Sequence, residues 1–264
     1  MVDKIGMLYD SSKCTACRGC QVACKQWNDL PGEATTNTGS YENPPDLSPN
    51  TWTRISFHEV ERGSDLQWLF LKRGCMHCTE AACVEVCPTN ALKHHPNGTV
   101  TVERELCNGC GYCTQFCPFH IPRLDYSILT GAGKSYKCNL CQDRTTNGQL
   151  PACVKTCPPG ALSFGTRSEL IAKAKARVEF LRANGHPKAN LYGDNILGGL
   201  GRMYILLDEP AVYNLPEAPT SPLLAKVWQE FVQPVAQLSF GVSLLAVVGA
   251  FLVARRRIRM EEVE

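Results

Sequence analysis

Cysteine thiolate is a soft ligand that selects zinc, copper(I) or iron–sulfur clusters over hard cations, and this 264-residue chain carries sixteen cysteines. They fall into four groups of four, with none left over. Cys14, Cys17, Cys20 and Cys24 follow C-x2-C-x2-C-x3-C, and Cys75, Cys78, Cys83 and Cys87 follow C-x2-C-x4-C-x3-C. Cys107, Cys110, Cys113 and Cys117 repeat the first spacing, and Cys138, Cys141, Cys153 and Cys157 follow C-x2-C-x11-C-x3-C. Proline follows the last cysteine of three groups, as Pro88, Pro118 and Pro158. In a C-x2-C-x2-C-x3-C-P run, three closely spaced thiolates hold one 4Fe-4S cube and the fourth reaches a second. Sixteen thiolates therefore predict four 4Fe-4S clusters, with all sixteen cysteines as iron ligands.

The spacing has a mechanical reason. Two residues between ligands let one loop wrap a cube, whereas a short helix turns the ligand three residues further on away from it. Proline then ends that helix and holds the chain extended. Gly19, Gly109 and Gly111 let the backbone approach the cluster and aim N–H groups at its sulfides. Other uses of the thiols fit less well. Disulfides staple small secreted domains, but a chain of this length buries a core without them, and cysteines clustered so tightly seldom have pairing geometry. Structural zinc favours C-x2-C pairs split by a longer loop, which only the last group approaches, with its eleven-residue gap before Cys153. A 3Fe-4S cluster would lack a ligand, and no group does. Four thiolates saturate a cube, so His77, His94 and His95 are not needed as ligands. No phosphate-cradling glycine fingerprint, nucleophile elbow or paired acid–base constellation stands out, so the chain does not read as a catalyst on its own.

Lys and Arg number 27 against 25 Asp and Glu, a net charge of +2, which carries no nucleic-acid footprint. Residues 235–254 read VAQLSFGVSLLAVVGAFLVA without a charge, enough at helical rise to cross a hydrocarbon core of about 30 Å. One transmembrane helix in the lipid bilayer is predicted, the alternative being a buried core helix. Arg255, Arg256, Arg257 and Arg259 follow it at once. Basic flanks stay in the cytoplasm, so the C-terminus is expected there and the cluster-bearing part on the periplasmic side. The N-terminus MVDKIGMLYD has neither an apolar signal region nor a twin-arginine pair, so export on a partner's signal is expected. Ser221 and Pro222 read as N-cap and first residue of a juxtamembrane helix. Its apolar face would comprise Leu223, Leu224, Val227, Trp228 and Phe231, serving as a membrane-surface helix or a docking face, with a kink at Pro234.

The remaining elements arrange themselves around the cysteines. Between Cys87 and Cys107, residues 91–92 and 99–102 read as two short strands about a Pro-Asn-Gly turn. That hairpin joins groups two and three into one two-cluster lobe and leaves groups one and four for the other, although a serial pairing of neighbours stays open. On the favoured pairing Cys14, Cys17 and Cys20 join Cys157, and Cys138, Cys141 and Cys153 join Cys24. Likewise Cys75, Cys78 and Cys83 join Cys117, and Cys107, Cys110 and Cys113 join Cys87. Residues 30–74 read as an insertion with strands at 51–60 and 66–71. Thr166 and Glu169 read as the capping box of a helix ending near Asn184 and Gly185, with Leu170, Ala174, Val178 and Leu181 on one face.

Five stretches beyond the bare cysteine spacing carry a family likeness. CRGCQVACKQWND (17–29), YENPPDLSPNTWT (41–53), GCMHC (74–78), CNGCGYC and CPFHIPRLD within 107–125, and YKCNLCQDR and GQLPACVKTCPPGALSFG within 136–165 resemble the iron–sulfur beta subunit of membrane-bound respiratory formate dehydrogenase. The resemblance implies an α+β fold: two pseudo-symmetric ferredoxin-like lobes, each binding two 4Fe-4S clusters, plus one C-terminal transmembrane helix. It implies the same pairing of groups one with four and two with three. The expected organisation is residues 1–29 and 130–165 as lobe one, 30–74 as insertion, 75–129 as lobe two, 166–221 as helix and linker, 222–259 as the membrane segment and 260–264 as tail. Implied partners are a catalytic alpha subunit with a molybdenum- or tungsten-bound pterin and a haem b membrane gamma subunit that passes electrons to quinone. A four-cluster subunit of a polysulfide, sulfoxide or nitrate reductase is the alternative, and a zinc-binding scaffold the non-redox one.

Overall fold

A computed structural model describes residues 4–127, 133–221, 227 and 231–261. The chain forms two units, one through Ser221 and one from Pro222 onward.

The first unit is organised on a strand near its N-terminus. The run IGMLYD is apolar on both faces and forms β1 (Ile5–Asp10), buried along almost its whole length. It lies inside a four-stranded sheet ordered β8-β1-β10-β9. There it runs antiparallel to β8 (Leu162–Thr166) and parallel to β10 (Arg202–Leu206), which in turn pairs antiparallel with β9 (Asn190–Tyr192). Side chains alternate across a strand, so β1 serves two cores. Leu8 packs with Met203 and Ile205 against Leu170, Ala174, Val178 and Leu181 of α6 (Arg167–Ala183). Met7 and Tyr9 face the larger core that holds Cys20, Cys24, Cys75, Cys138 and Cys153.

The predicted stripe and end of α6 match the helix, but its start is built differently. Thr166 Oγ1 donates to the Glu169 carboxylate at 2.7 Å, and no side chain caps the backbone. The Arg167 N–H is taken instead by the Lys4 carbonyl at 2.7 Å, because the helix leaves directly from a paired strand.

Three hairpins complete the frame. β2 (Thr53–Arg62) and β3 (Asp65–Gly74) pair along their full length about Gly63 and Ser64, extending the expected strands to the turn. Their far end is largely exposed, which is why charged Glu61 and Arg62 resemble a loop in sequence. β4 (Leu92–His94) and β5 (Val100–Val102) form the predicted hairpin. The third, β6 (Arg123–Tyr126) with β7 (Gly133–Tyr136), alternates over only the four residues of β6 and is not announced by β7. Because β7 folds back on β6, a boundary at 129/130 would cut this hairpin.

Short helices stand beside the cysteine loops: α1 (Gly19–Trp27), α2 (Ala82–Glu85), α3 (Tyr112–Phe116), α4 (Gln142–Thr145) and α5 (Ala152–Lys155). Helix α1 packs on α5, and α2 on α3. In the second unit, α7 (Gln233–Glu261) is 29 residues long, and its Gln233–Arg256 stretch, with mean hydropathy 2.1, is apolar enough to cross a membrane. Pro234 falls in its first turn, directly after a π-helical turn at 231–232. The expected N-cap Ser221 instead donates its hydroxyl to Glu85 at 3.0 Å. Pro222, Leu223, Leu224 and Trp228 lie outside the described residues, while Val227 and Phe231 are exposed.

Candidate iron–sulfur site

Each cysteine group opens with the same backbone device. The residue before the second cysteine is left-handed in all four: Ala16 at φ 53°, His77 at 49°, Gly109 at 76° and Leu140 at 55°. Three of these carry a Cβ, for which the conformation costs about 1–2 kcal/mol. The strain curls the loop back on its first thiol: the Ala16 N–H points to Cys14 Sγ and the Leu140 N–H to Cys138 Sγ, both at 3.4 Å. A left-handed residue recurs three places after the fourth cysteine at Asn90, His120 and Gly160. The third cysteine of each group then rides a short helix, as Cys20, Cys83, Cys113 and Cys153 do.

The sixteen thiols, all free, gather into four sets. Cys14, Cys17, Cys20 and Cys157 line one small cavity. Burial, with Cys138, Cys153 and Cys141 adjoining, pushes the Cys24 thiol up. Burial does the same to Cys78, whose neighbours are Cys75, Cys83 and Cys117. In the last set burial, together with Cys110, Cys107 and Cys87, pushes Cys113 up to about 11. Within each set three thiols come from one group and the fourth from another. Cys17 and Cys110 are exposed, whereas every thiol of the Cys24, Cys138, Cys141 and Cys153 set is buried.

Cations stand among these thiols where a soluble core has none. Lys72 and Arg202 are fully buried, and Lys137 is 4% exposed. Burial alone would pull the Lys72 ammonium down, but Cys20 and Cys153 beside it hold it up. Arg202 Nη2 reaches Cys138 Sγ at 3.6 Å, while its Nε and Nη1, and Nε2 of His77, find no hydrogen-bond partner among the described residues. His77 Nδ1 accepts the Val100 N–H at 3.1 Å, and burial with Lys137 and Arg202 nearby drives its pKa well down, so the ring is neutral and holds the backbone of β5. Buried cations and orphaned donors around converging sulfurs fit a group that is anionic and rich in acceptors, as a thiolate-ligated cube is. Among the described residues no three of His, Cys, Asp and Glu close tightly enough for a single metal ion, as zinc with its Zn–S bonds of about 2.3 Å requires.

The sequence reading missed Lys72, Lys137 and Arg202. A lone basic residue heading an otherwise apolar strand, as Arg202 does in RMYIL, was the available signal. The left-handed Ala16, His77 and Leu140 left none, because only glycine advertises that conformation.

Residues 66–167 match the family of the 4Fe-4S dicluster domain. The chain is 42% identical to the formate dehydrogenase iron–sulfur subunit of Haemophilus influenzae over 94% of its own length and 80% of that protein's. It is also 42% identical to the iron–sulfur subunit of the nitrate-inducible formate dehydrogenase of Escherichia coli K12, covering 90% and 81%. With the formate dehydrogenase 2 subunit beta (cytochrome c-553) of Nitratidesulfovibrio vulgaris it shares 36% identity, covering 78% and 94%. Four sets of converging thiols and this likeness over most of both sequences lead to one conclusion: the chain belongs to the family of formate dehydrogenase iron–sulfur subunits and carries electrons through 4Fe-4S clusters.

Proposed function

We propose that this chain conducts the electrons of formate oxidation from a molybdenum- or tungsten-pterin catalytic subunit to a haem b membrane subunit and quinone. The observation that carries the reading is the exchange of fourth cysteines, which ties the four sets into two pairs. Cys157 and Cys24 are exchanged between groups one and four, and Cys117 and Cys87 between groups two and three. On this reading the two pairs are the two ferredoxin-like lobes, and the pairing of β6 with β7 supports a division after Tyr136 in place of one at 129/130.

A bound 4Fe-4S cube supplies a one-electron couple whose potential follows hydrogen bonding, charge and burial. The chain's own residues set those terms. Ala16 and Leu140 direct N–H groups at ligand sulfurs, Lys72 puts a fixed charge beside Cys20, Cys24 and Cys153, and the buried thiols keep water out. The sets with an exposed thiol, Cys17 and Cys110, form the two ends of the path, and the Cys24 and Cys75 sets its middle. The arginines after the apolar helix favour a cytoplasmic C-terminus and a periplasmic cluster unit.

Iron and acid-labile sulfide on the anaerobically purified chain should each approach about sixteen per molecule, and the chain purified with its catalytic subunit should reduce a dye with formate. Stoichiometric zinc in place of iron, or a catalytic partner indifferent to formate, would refute the reading. A second catalytic partner is favoured by one observation, the 39% identity to the hydrogenase-2 operon protein HybA of Escherichia coli O157:H7 over 66% of this chain. Dye reduction by hydrogen and not by formate is the outcome that would select it.

A further inference from the structure

Arg202 lies where the two cluster pairs meet. It enters on β10, with its N–H bonded to the Met76 carbonyl at 2.9 Å, so its backbone is tied to the loop of group two. Its guanidinium turns toward group four, where Nη2 meets Cys138 Sγ at 3.6 Å. Gly74, the residue before Cys75, is the floor beneath it: a Cβ there would collide with Arg202 Nη1. Its titratable neighbours include Tyr204, Cys138, Cys153 and Cys75, together with Lys72 and His77. Among the described residues no carboxylate pairs with it, and the side chain is fully buried. Burying a charge is expensive unless it is compensated. Among the described residues the anions at hand are the thiolates of two different sets and the clusters they would ligate.

We propose that Arg202 is the electrostatic bridge between the two cluster pairs, raising the reduction potentials of the Cys24, Cys138, Cys141, Cys153 cube and the Cys75, Cys78, Cys83, Cys117 cube together. It is a positioning residue, acting through the ligands it touches, and the proposal rests on the four-cube reading. A fixed positive charge stabilises the more negative, reduced form of each cube. In a buried site that effect is little screened. Raising both middle cubes in step keeps electrons passing between the lobes, where a mismatch would stop them. Arginine suits the place because it never deprotonates and offers five donors in a fork, of which Nε and Nη1 have no partner among the described residues.

The test is potentiometric electron paramagnetic resonance on the full-length chain, with signals assigned through Cys138→Ser and Cys75→Ser. Arg202→Gln should lower two of the four midpoints by at least a tenfold change in the reduced-to-oxidised ratio, about 59 mV for a one-electron couple. Arg202→Lys, which keeps the charge, should leave them near the wild-type values. Unmoved midpoints in a fully loaded Arg202→Gln protein overturn the proposal, as does an equal shift in Arg202→Lys. If Arg202→Gln takes up less iron, Gly74→Ala decides: its methyl displaces the guanidinium without removing it. The same two midpoints must then fall, and unmoved ones refute the bridge. A wild-type chain that lacks four cubes defeats the underlying function instead.

Discussion

Gly109→Ala separates two reasons a loop can require glycine. Gly109 is left-handed at φ 76°, but so are Ala16, His77 and Leu140 at the matching place in the other three loops, so the conformation alone does not demand it. What differs is the neighbour. A Cβ on Gly109 would lie 2.5 Å from the Gly133 carbonyl oxygen, 2.7 Å from its nitrogen and 2.8 Å from its carbon, and backbone on the β6–β7 hairpin cannot swing aside as a side chain can. The left-handed penalty of about 1–2 kcal/mol and an overpacking cost of about 1–3 kcal/mol together give a loss of about 2–5 kcal/mol. Gly148→Ala is the control, since Gly148 has a similar φ of 69° and nothing within 4 Å. It should cost only the conformational part, about 1–2 kcal/mol. Anaerobic thermal unfolding reads the difference, and iron analysis locates it. Gly109→Ala should lose roughly a quarter of its iron, from the Cys87, Cys107, Cys110 and Cys113 cube. Equal unfolding of the two variants with full iron content would refute the close-approach argument.

Four further perturbations probe other parts of the molecule. Cys24→Ser should alter the spectrum of the cube held by Cys138, Cys141 and Cys153, its neighbours, and spare the Cys14 cube; the reverse pattern refutes the exchange of fourth ligands. Removal of residues 222–264 takes away a separate unit and no cysteine, so iron content and formate-driven dye reduction should persist while quinone reduction is lost; iron loss would show that the units depend on each other. Leu170→Ala opens a cavity under α6, where the side chain is 4% exposed, and should cost about 2–5 kcal/mol without loss of iron. Thr166→Ala removes exposed contacts with Ser168 and Glu169, so a change in unfolding beyond about 0.5 kcal/mol would show that it does cap the helix.

The sequence discloses the four cysteine groups because their spacing is local, and each short helix that carries a third cysteine lies within a few residues of its group. The stripe of α6 is equally legible, since Leu170, Ala174, Val178 and Leu181 recur at helical intervals. The hairpin β6–β7 is not, because RLDY alternates over only four residues and its partner GKSY offers no apolar residue before Tyr136. Lys72 and Arg202 escaped for a different reason. Their meaning depends on thiols distant in the chain, such as Cys20 for Lys72 and Cys138 for Arg202, and no local pattern encodes such a meeting.

The parallel pairing of β1 with β10 also imposes an order in time. Met7 aligns with Arg202 and Asp10 with Ile205, so the central strand of the sheet waits for nearly the whole first unit to be synthesised before its last partner arrives. Contacts this far apart in sequence close late. Nascent chains stalled before Arg202 should accordingly remain open to protease around residues 5–10, and early protection there would contradict this order. The loop carrying Cys14, Cys17 and Cys20 begins just past β1, so the strand that anchors it gains its last partner only when β10 arrives.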